Sequence, residues 1–375
     1  MRTRSGRAAV RGRAKVDADA PGGAGRHVAD TVVGGPWLVL GKDGRLSAYA
    51  HGRAGLLRWT EVRRGGSRWT GPDVFPAADL TWVSVAQGAD GYVHFLGRRE
   101  VRKGEDGPSA VEIVHAIQYQ TDRPVTEWRS LGNPHKDRDK AARLGVPSGA
   151  VGPDGTVHVF VRNAGGGVML RRELPGGKWG PWTDLKGSRV QDPVAAVVHP
   201  SGRVEAMAGG DGCVMRWVQE EPGGDFRQAP NIPLAVAPGS AVALATGPDR
   251  ATYYWTDPAT GGIVAHRPGS WVIPLGGAPA GEPVVALRAV LDGYDCTVLA
   301  HRDLDGQLML AACGTENEQA GLWWSPTGER CVGAPAAALD AYGRVVLGMI
   351  GADGALCVAR QNGGGGLVMD PSIRV

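Results

Sequence analysis

One period runs along the chain and limits its fold more than any other feature. A tight turn followed by an apolar strand recurs as KDGRLSAYA, ADGYVHFLG, PDGTVHVFV, PSGRVEAMA, GPDRATYYW, YDCTVLAHR and AYGRVVLGM. The second turn residue falls at positions 44, 91, 155, 202, 249, 295 and 343. The steps are 47, 64, 47, 47, 46 and 48 residues, so five of the six agree to within two residues. Each unit has the same internal order. A short apolar strand precedes the turn, as in WLVLG and TWVSVAQ, and a second turn leads to another strand, as in GLLRWTE and GCVMRWVQE. An aromatic segment then closes the unit: Trp69, Trp128, Trp179 with Trp182, Phe226, Trp271, and Trp323 with Trp324, with Leu367 in the last.

Four short strands joined by tight turns make one antiparallel sheet. Val157, Val159 and Val161 alternate with an equally apolar Phe160, so both faces of such a sheet need cover. Sheets stacked face to face at this period are the blades of a propeller. The predicted fold is therefore all-β, a seven-bladed β-propeller of four-stranded antiparallel blades over residues 31–375. Composition agrees, since 59 glycines and 26 prolines suit turns and oppose helices. The 64-residue step predicts an insertion of about 17 residues around 97–143, shared between RREVRKGEDGPSAVEI and NPHKDRDKAARLG. Contiguous blades run from an innermost strand (Trp37–Gly41 in the first) to an outermost one. The alternative is a clasp in which residues 26–33 add an outer strand to the seventh blade.

Residues 1–30 form a basic arm. Its first fifteen residues carry Arg2, Arg4, Arg7, Arg11, Arg13 and Lys15 and no acid, against a net charge of +3 for the whole chain. The body is therefore slightly acidic, and nucleic acid is not an expected partner. The arm offers a contact for a protein partner. Without an apolar core for a signal peptide or a long apolar span, the expected location is cytoplasmic as synthesised, with release or particle association left open. Five cysteines without CxxC spacing predict reduced, buried thiols and neither zinc nor a disulfide framework.

The segments GGKWGPWTDLKG and TEWRSLGN give the chain its resemblance to the bacterial seven-bladed propeller lectins of the Photorhabdus lectin type. It is similar, more loosely, to tectonin and tachylectin-like propellers. Asp43-Gly44-Arg45, Gly55 to Trp59, Trp179 with Trp182, and Leu185 stand for the family's turn, strand, Trp-x-x-Trp and leucine elements. Only the third unit keeps the full Trp-x-x-Trp. The resemblance implies carbohydrate binding at shallow sites between blades, with most of the repeated sites altered.

Within that frame Trp179 recurs in other units and is assigned to packing between blades. Trp182 is nearly unique, and with Lys178 and Asp184 it offers an aromatic face beside polar groups, the combination that holds a sugar. Trp59 with Arg58 and Trp217 with Arg216 form a second candidate set, for which arginine stacked on tryptophan is an equally good structural reading. His94 and His158 hold equivalent places in neighbouring units, as a small polar cluster or as separate strand histidines. No nucleophile elbow, metalloprotease site or sialidase box is present, so no cofactor, metal or catalytic residue is assigned. The function expected is a non-catalytic, lectin-like glycan-binding protein. The alternatives are an adaptor subunit docking to a larger bacterial particle and, third, an enzyme using the propeller mouth.

Overall fold

A computed structural model of the chain describes residues 32–77, 79–102 and 109–375. The basic arm lies outside them. Seven antiparallel sheets follow one another along the chain, each ordered from inside outward. Blade 1 comprises β1 (Val32–Leu40), β2 (Leu46–Gly52), β3 (Gly55–Glu61) and β4 (Trp69–Pro76). Blade 2 comprises β5 (Leu80–Gln87), β6 (Val93–Arg102), β7 (Ser109–Gln118) and β8 (Arg129–Gly132). Blade 3 has β9 (Ser148–Val151), β10 (Val157–Arg162) and β11 (Val168–Leu174), with its outer position shared by β12 (Lys178–Trp179) and β13 (Thr183–Asp184). Blade 4 has β14 (Ala195–Val198), β15 (Val204–Gly209), β16 (Val214–Gln219) and β17 (Phe226–Gln228). Blade 5 has β18 (Val242–Gly247), β19 (Arg250–Thr256), β20 (Ile263–His266) and β21 (Ile273–Gly276). Blade 6 has β22 (Val285–Leu291), β23 (Tyr294–Arg302), β24 (Gln307–Gly314) and β25 (Ser325–Arg330). Blade 7 has β26 (Val332–Leu339), β27 (Val345–Ile350), β28 (Leu356–Arg360) and β29 (Ile373–Arg374). Each innermost strand contacts the next, and β26 contacts β1, so the ring closes. The protein is an all-β, seven-bladed propeller.

The repeated turn has a repeated cause. Asp43, Asp90 and Asp154 each accept the backbone N–H two residues on, from Arg45, Tyr92 and Thr156. The glycine that follows each aspartate then donates to the residue three back, at 2.9 Å in all three turns. Side chain and backbone thus fold the same corner, which aligns the two inner strands of these three blades.

Packing between blades makes the core. Trp59 is buried with Ala338, Val346 and Leu356 of blade 7, and Trp217 with Leu170 and Leu185 of blade 3. Both large rings are fully shielded, so each layer gains the several kcal/mol of a buried aromatic.

In blade 2, β6 and β7 stay paired from Val93–Gln118 out to Arg102–Ser109, a longer hairpin than in any other blade. A one-turn helix, α1 (Arg138–Ala142), lies between β8 and β9. Asp137 caps it by accepting from the N–H of Lys140 at 2.9 Å. Asn133 ties it to β7 by donating to the carbonyls of Val111 and Ala141.

At the closure, Val32 pairs with Gly52 as part of the innermost strand of blade 1, and the outer strand of blade 7 is the C-terminal β29. Val32 and Val33 therefore do not belong to an outer clasp, which corrects that alternative. The rest of the proposed clasp, residues 26–31, lies outside the described residues. Glu61 supplies the tie instead. It stands where blades 4 and 7 have Gln219 and Gln361, and like them accepts the first N–H of the second strand, here from Leu46 at 2.9 Å. Being charged, it also draws Arg360 of blade 7, at 2.5 Å. Arg360 and Arg344 both pair with the buried Asp340, and they donate to the carbonyls of Gly66 and Gly65 across the seam.

Candidate functional site

The sequence-derived candidates separate once placed in the fold. Neighbouring residues on a strand face opposite sides, so Trp59 and Arg58 point into different layers. Trp59 is 1% exposed and faces blade 7, and Trp217 is fully buried, donating its Nε1–H to the carbonyl of Leu185 at 2.8 Å. Neither ring offers a surface to a ligand. Arg58 turns the other way, pairs with Asp73 at 2.6 Å, donates to the carbonyl of Arg123 and lies over Phe75. Arg216 bonds Glu205 at 2.7 Å and lies over Tyr253 of blade 5. This second set is structural, and the arginines stack on rings other than the adjacent tryptophans.

Glu205 sits at the centre of one such layer. Burial alone would raise its carboxyl, but hydrogen bonds from His199, Tyr253 and Arg216, with the charge of Arg216, hold it below the usual carboxylate range. It is a fixed anion and no general acid.

Trp182 is half-buried. Its Nε1–H donates to the carbonyl of Leu131 in blade 2 at 3.2 Å, and Arg171 lies over its ring. Lys178 is exposed with no side-chain partner among the described residues, while Asp184 is held by Lys186, at 2.9 Å from its N–H and 2.8 Å from its Nζ. One edge of Trp182 is thus bound to the neighbouring blade and one face is covered. His94 and His158 do not cluster. His94 bonds His115 at 3.0 Å, with His115 against Trp179, whereas His158 packs on Phe226 one layer further round.

Spacing alone did not mark two openings that have tryptophan in their walls. One is the mouth of the central channel, a cavity of about 930 Å³. Its rim carries five prolines: Pro193, Pro238 and Pro283 lie ahead of innermost strands, and Pro36 and Pro335 lie at register breaks within β1 and β26. Proline suits both places, since its missing N–H leaves no gap in the ladder before a strand begins or where pairing is already interrupted. The recurrence was readable in GGPW, QDPV, GEPV and GAPA. The wall is mainly apolar. Its two carboxylates, Asp192 and Glu282, are each paired with an arginine, Arg162 and Arg302. Burial raises the Asp192 carboxyl against the pull of Arg162.

The other opening is a cleft of about 380 Å³ between the outer parts of blades 1 and 2. Trp128 forms one wall and Phe75 another, with Thr126, Glu127, Asp79 and Arg99 around them. Phe95 packs against the ring of Trp128 from within, at 6.5 Å between centroids. The layer leaves room for nothing larger than Gly97, where a Cβ would come within 2.7 Å of Leu80 and 3.2 Å of the Trp128 ring. Arg99 is steered by Glu112 at 2.5 Å, which also bonds Ser130. The result is a half-buried aromatic face beside fixed polar groups.

The aromatic column assigned to packing holds at Trp69, Trp128, Trp179, Phe226 and Trp324, each set against a core cluster. It fails at Trp271, which is 91% exposed, because Val272 takes the inward place. Trp323 is likewise 84% exposed beside the inward Trp324. Among the described residues no group of three or more histidine, cysteine or acidic side chains is placed to hold a metal ion. The five cysteines are unpaired, and burial pushes the Cys313 thiol up to about 12 and Cys331 to about 11. Neither is a ready nucleophile.

Neither a protein-family model nor a curated protein matches the chain. Among solved structures it is similar to the BP39L lectin from Burkholderia pseudomallei, with 14% identity, a TM-score of 0.67, and coverage of 92% of this chain and 99% of that one. It is also similar to the Hadza microbial sialidase Hz136, with 12% identity, a TM-score of 0.51, and coverage of 82% and 71%. The SapL1 lectin in complex with α-methyl fucoside follows at 14% identity and a TM-score of 0.48, over 92% and 98%. At these identities the likeness to the first two establishes the fold alone.

Proposed function

We propose that the chain is a non-catalytic glycan-binding protein whose principal site is the cleft between blades 1 and 2, in a propeller allied to the Photorhabdus lectin type. The observation that carries this reading is Trp128, held from within by Phe95 and open to a cleft of monosaccharide-to-disaccharide size. A pyranose ring lays its C–H face on the indole, and its hydroxyls bond to Arg99, Asp79 and Thr126. The likeness to a lectin over nearly the whole chain supports the reading. So does the repeat grammar, which is that of propellers with sites between blades. Exposed Trp271 and Trp323 provide two further aromatic faces, so weak sites can add by avidity.

A glycan array with elution by free sugar tests the proposal, with Trp128→Ala alongside. Bound glycan should be released by the matching monosaccharide, and the variant should bind at least about tenfold more weakly, the loss of one stacked ring. Because the inner face of Trp128 packs on the core, a melting curve confirms that the variant is folded at the assay temperature. A folded protein that binds no glycan, or a Trp128→Ala variant that binds as well as the parent, would overturn it.

A further inference from the structure

The seam where the ring closes has a second feature, apart from the cleft. The loop between β3 and β4 carries Arg63, Arg64 and Arg68, and with the turn between β26 and β27 it encloses a cavity of about 710 Å³. Arg63, Arg64, Tyr342 and Arg344 line it around the peptide of Gly65. The corresponding loop of blade 4, from Glu220 to Asp225, is acidic, so the blade repeat does not require arginine here.

The site is held in place. Gly66 N–H donates to the carbonyl of Arg63 at 3.0 Å and Val62 N–H to that of Arg68 at 2.8 Å. Arg344 reaches across from blade 7 to the carbonyl of Gly65 at 3.1 Å, and its guanidinium lies 5.4 Å from the centre of the Tyr342 ring. Gly65 has φ +57°, and a Cβ there would come within 2.6 Å of Arg344 and 2.7 Å of Tyr342. Only glycine lets the two blades meet this closely. Donors are left over. Arg63 and Arg68 pair with no carboxylate among the described residues, Arg64 uses only its Nε toward the carbonyl of Asp43, and Tyr342 is 68% exposed. The neighbouring acids Glu61 and Asp340 are buried and committed to Arg360 and Arg344.

We propose that this seam binds an oxyanion, carried on an acidic saccharide. The guanidinium groups of Arg63 and Arg64 take the sulfate or carboxylate by paired N–H donation, and the free face of Tyr342 takes the sugar ring. A free inorganic oxyanion shares the first half of that chemistry. Occupancy would bridge blade 1 to blade 7.

Calorimetry at low ionic strength separates these. The probes are 6-O-sulfated lactose, unsulfated lactose and inorganic sulfate, run against the parent, Arg63→Ala/Arg64→Ala, Tyr342→Ala and Trp128→Ala. The sulfated sugar should bind the parent and lose at least about tenfold in the double-arginine variant and in 0.5 M NaCl. Trp128→Ala should leave that binding unchanged, so failure of the cleft and failure of the seam are read separately. A loss in Tyr342→Ala assigns the site to the saccharide, whereas inorganic sulfate binding as tightly, with Tyr342→Ala silent, assigns it to the free anion. Both arginines are exposed, and their variants should melt with the parent. No binding of either sulfated sugar or sulfate to the parent, or equal binding by the double-arginine variant, would overturn the proposal.

Discussion

His94 and His115 lie stacked in one blade, joined ring nitrogen to ring nitrogen, and His158 is buried in the next. Burial holds all three below the ordinary value of 6.5, His94 and His158 at about 4 and His115 at about 3. Their folded state therefore stays neutral while an unfolded chain takes up protons below pH 6.5. The stability they contribute is complete above about 6.5 and is lost as pH falls toward 4. The melting temperature should drop across that window, and His158→Gln should make the drop shallower, as a calorimetric series from pH 7.5 to 4.5 will show. An equal slope in the variant would exclude His158 as a source. The equivalence of His94 and His158 was legible from the repeat. Their separation was not, because the repeat fixes a place within a blade but not which layer a side chain enters.

Blades are joined by a recurrent tie as well as by apolar packing. Trp182, Trp217 and Trp324 each donate Nε1–H to the carbonyl of a leucine one blade back, Leu131, Leu185 and Leu275. Trp217→Phe removes that bond but keeps most of the ring, and should cost about 1–3 kcal/mol with a buried carbonyl left unpaired. Trp217→Ala also opens a cavity and should cost about 3–5 kcal/mol. Trp271→Ser and Trp323→Ser should shift stability by no more than about 0.5 kcal/mol, since both rings are in solvent. Urea unfolding of the four variants checks the order. A large loss in Trp271→Ser would show that its ring packs. Period and strand count were legible because a turn-and-strand grammar repeats in the residues themselves. Which of two adjacent aromatics faces inward was not. That phase is set by the preceding turn, as where Ser270 bonds back to Arg267 ahead of Trp271. The sequence pattern likewise did not show that the Trp182 ring is bound at one edge to Leu131 and covered on one face by Arg171, or that Trp128 borders a cleft with blade 1.

The ring as a whole is closed by charge and packing, with the first and last blades each complete. Glu61→Gln keeps the acceptor for Leu46 but removes the anion facing Arg360, so it should destabilise the fold by about 2 kcal/mol, less than a fully orphaned buried pair because Asp340 remains. The same change where the residue is already neutral, as at Gln219 and Gln361, has no counterpart. The seam was illegible in sequence, since its partners lie 299 residues apart. Seven blades also offer seven interfaces, and the proposed principal site lies at the first. The most direct test is a crystal structure of the protein with the glycan that binds it best on the array. The expected result is a sugar ring stacked on Trp128 between blades 1 and 2, with hydroxyls on Arg99 and Asp79. A sugar seated instead in the channel mouth, with the Trp128 cleft empty, would contradict it.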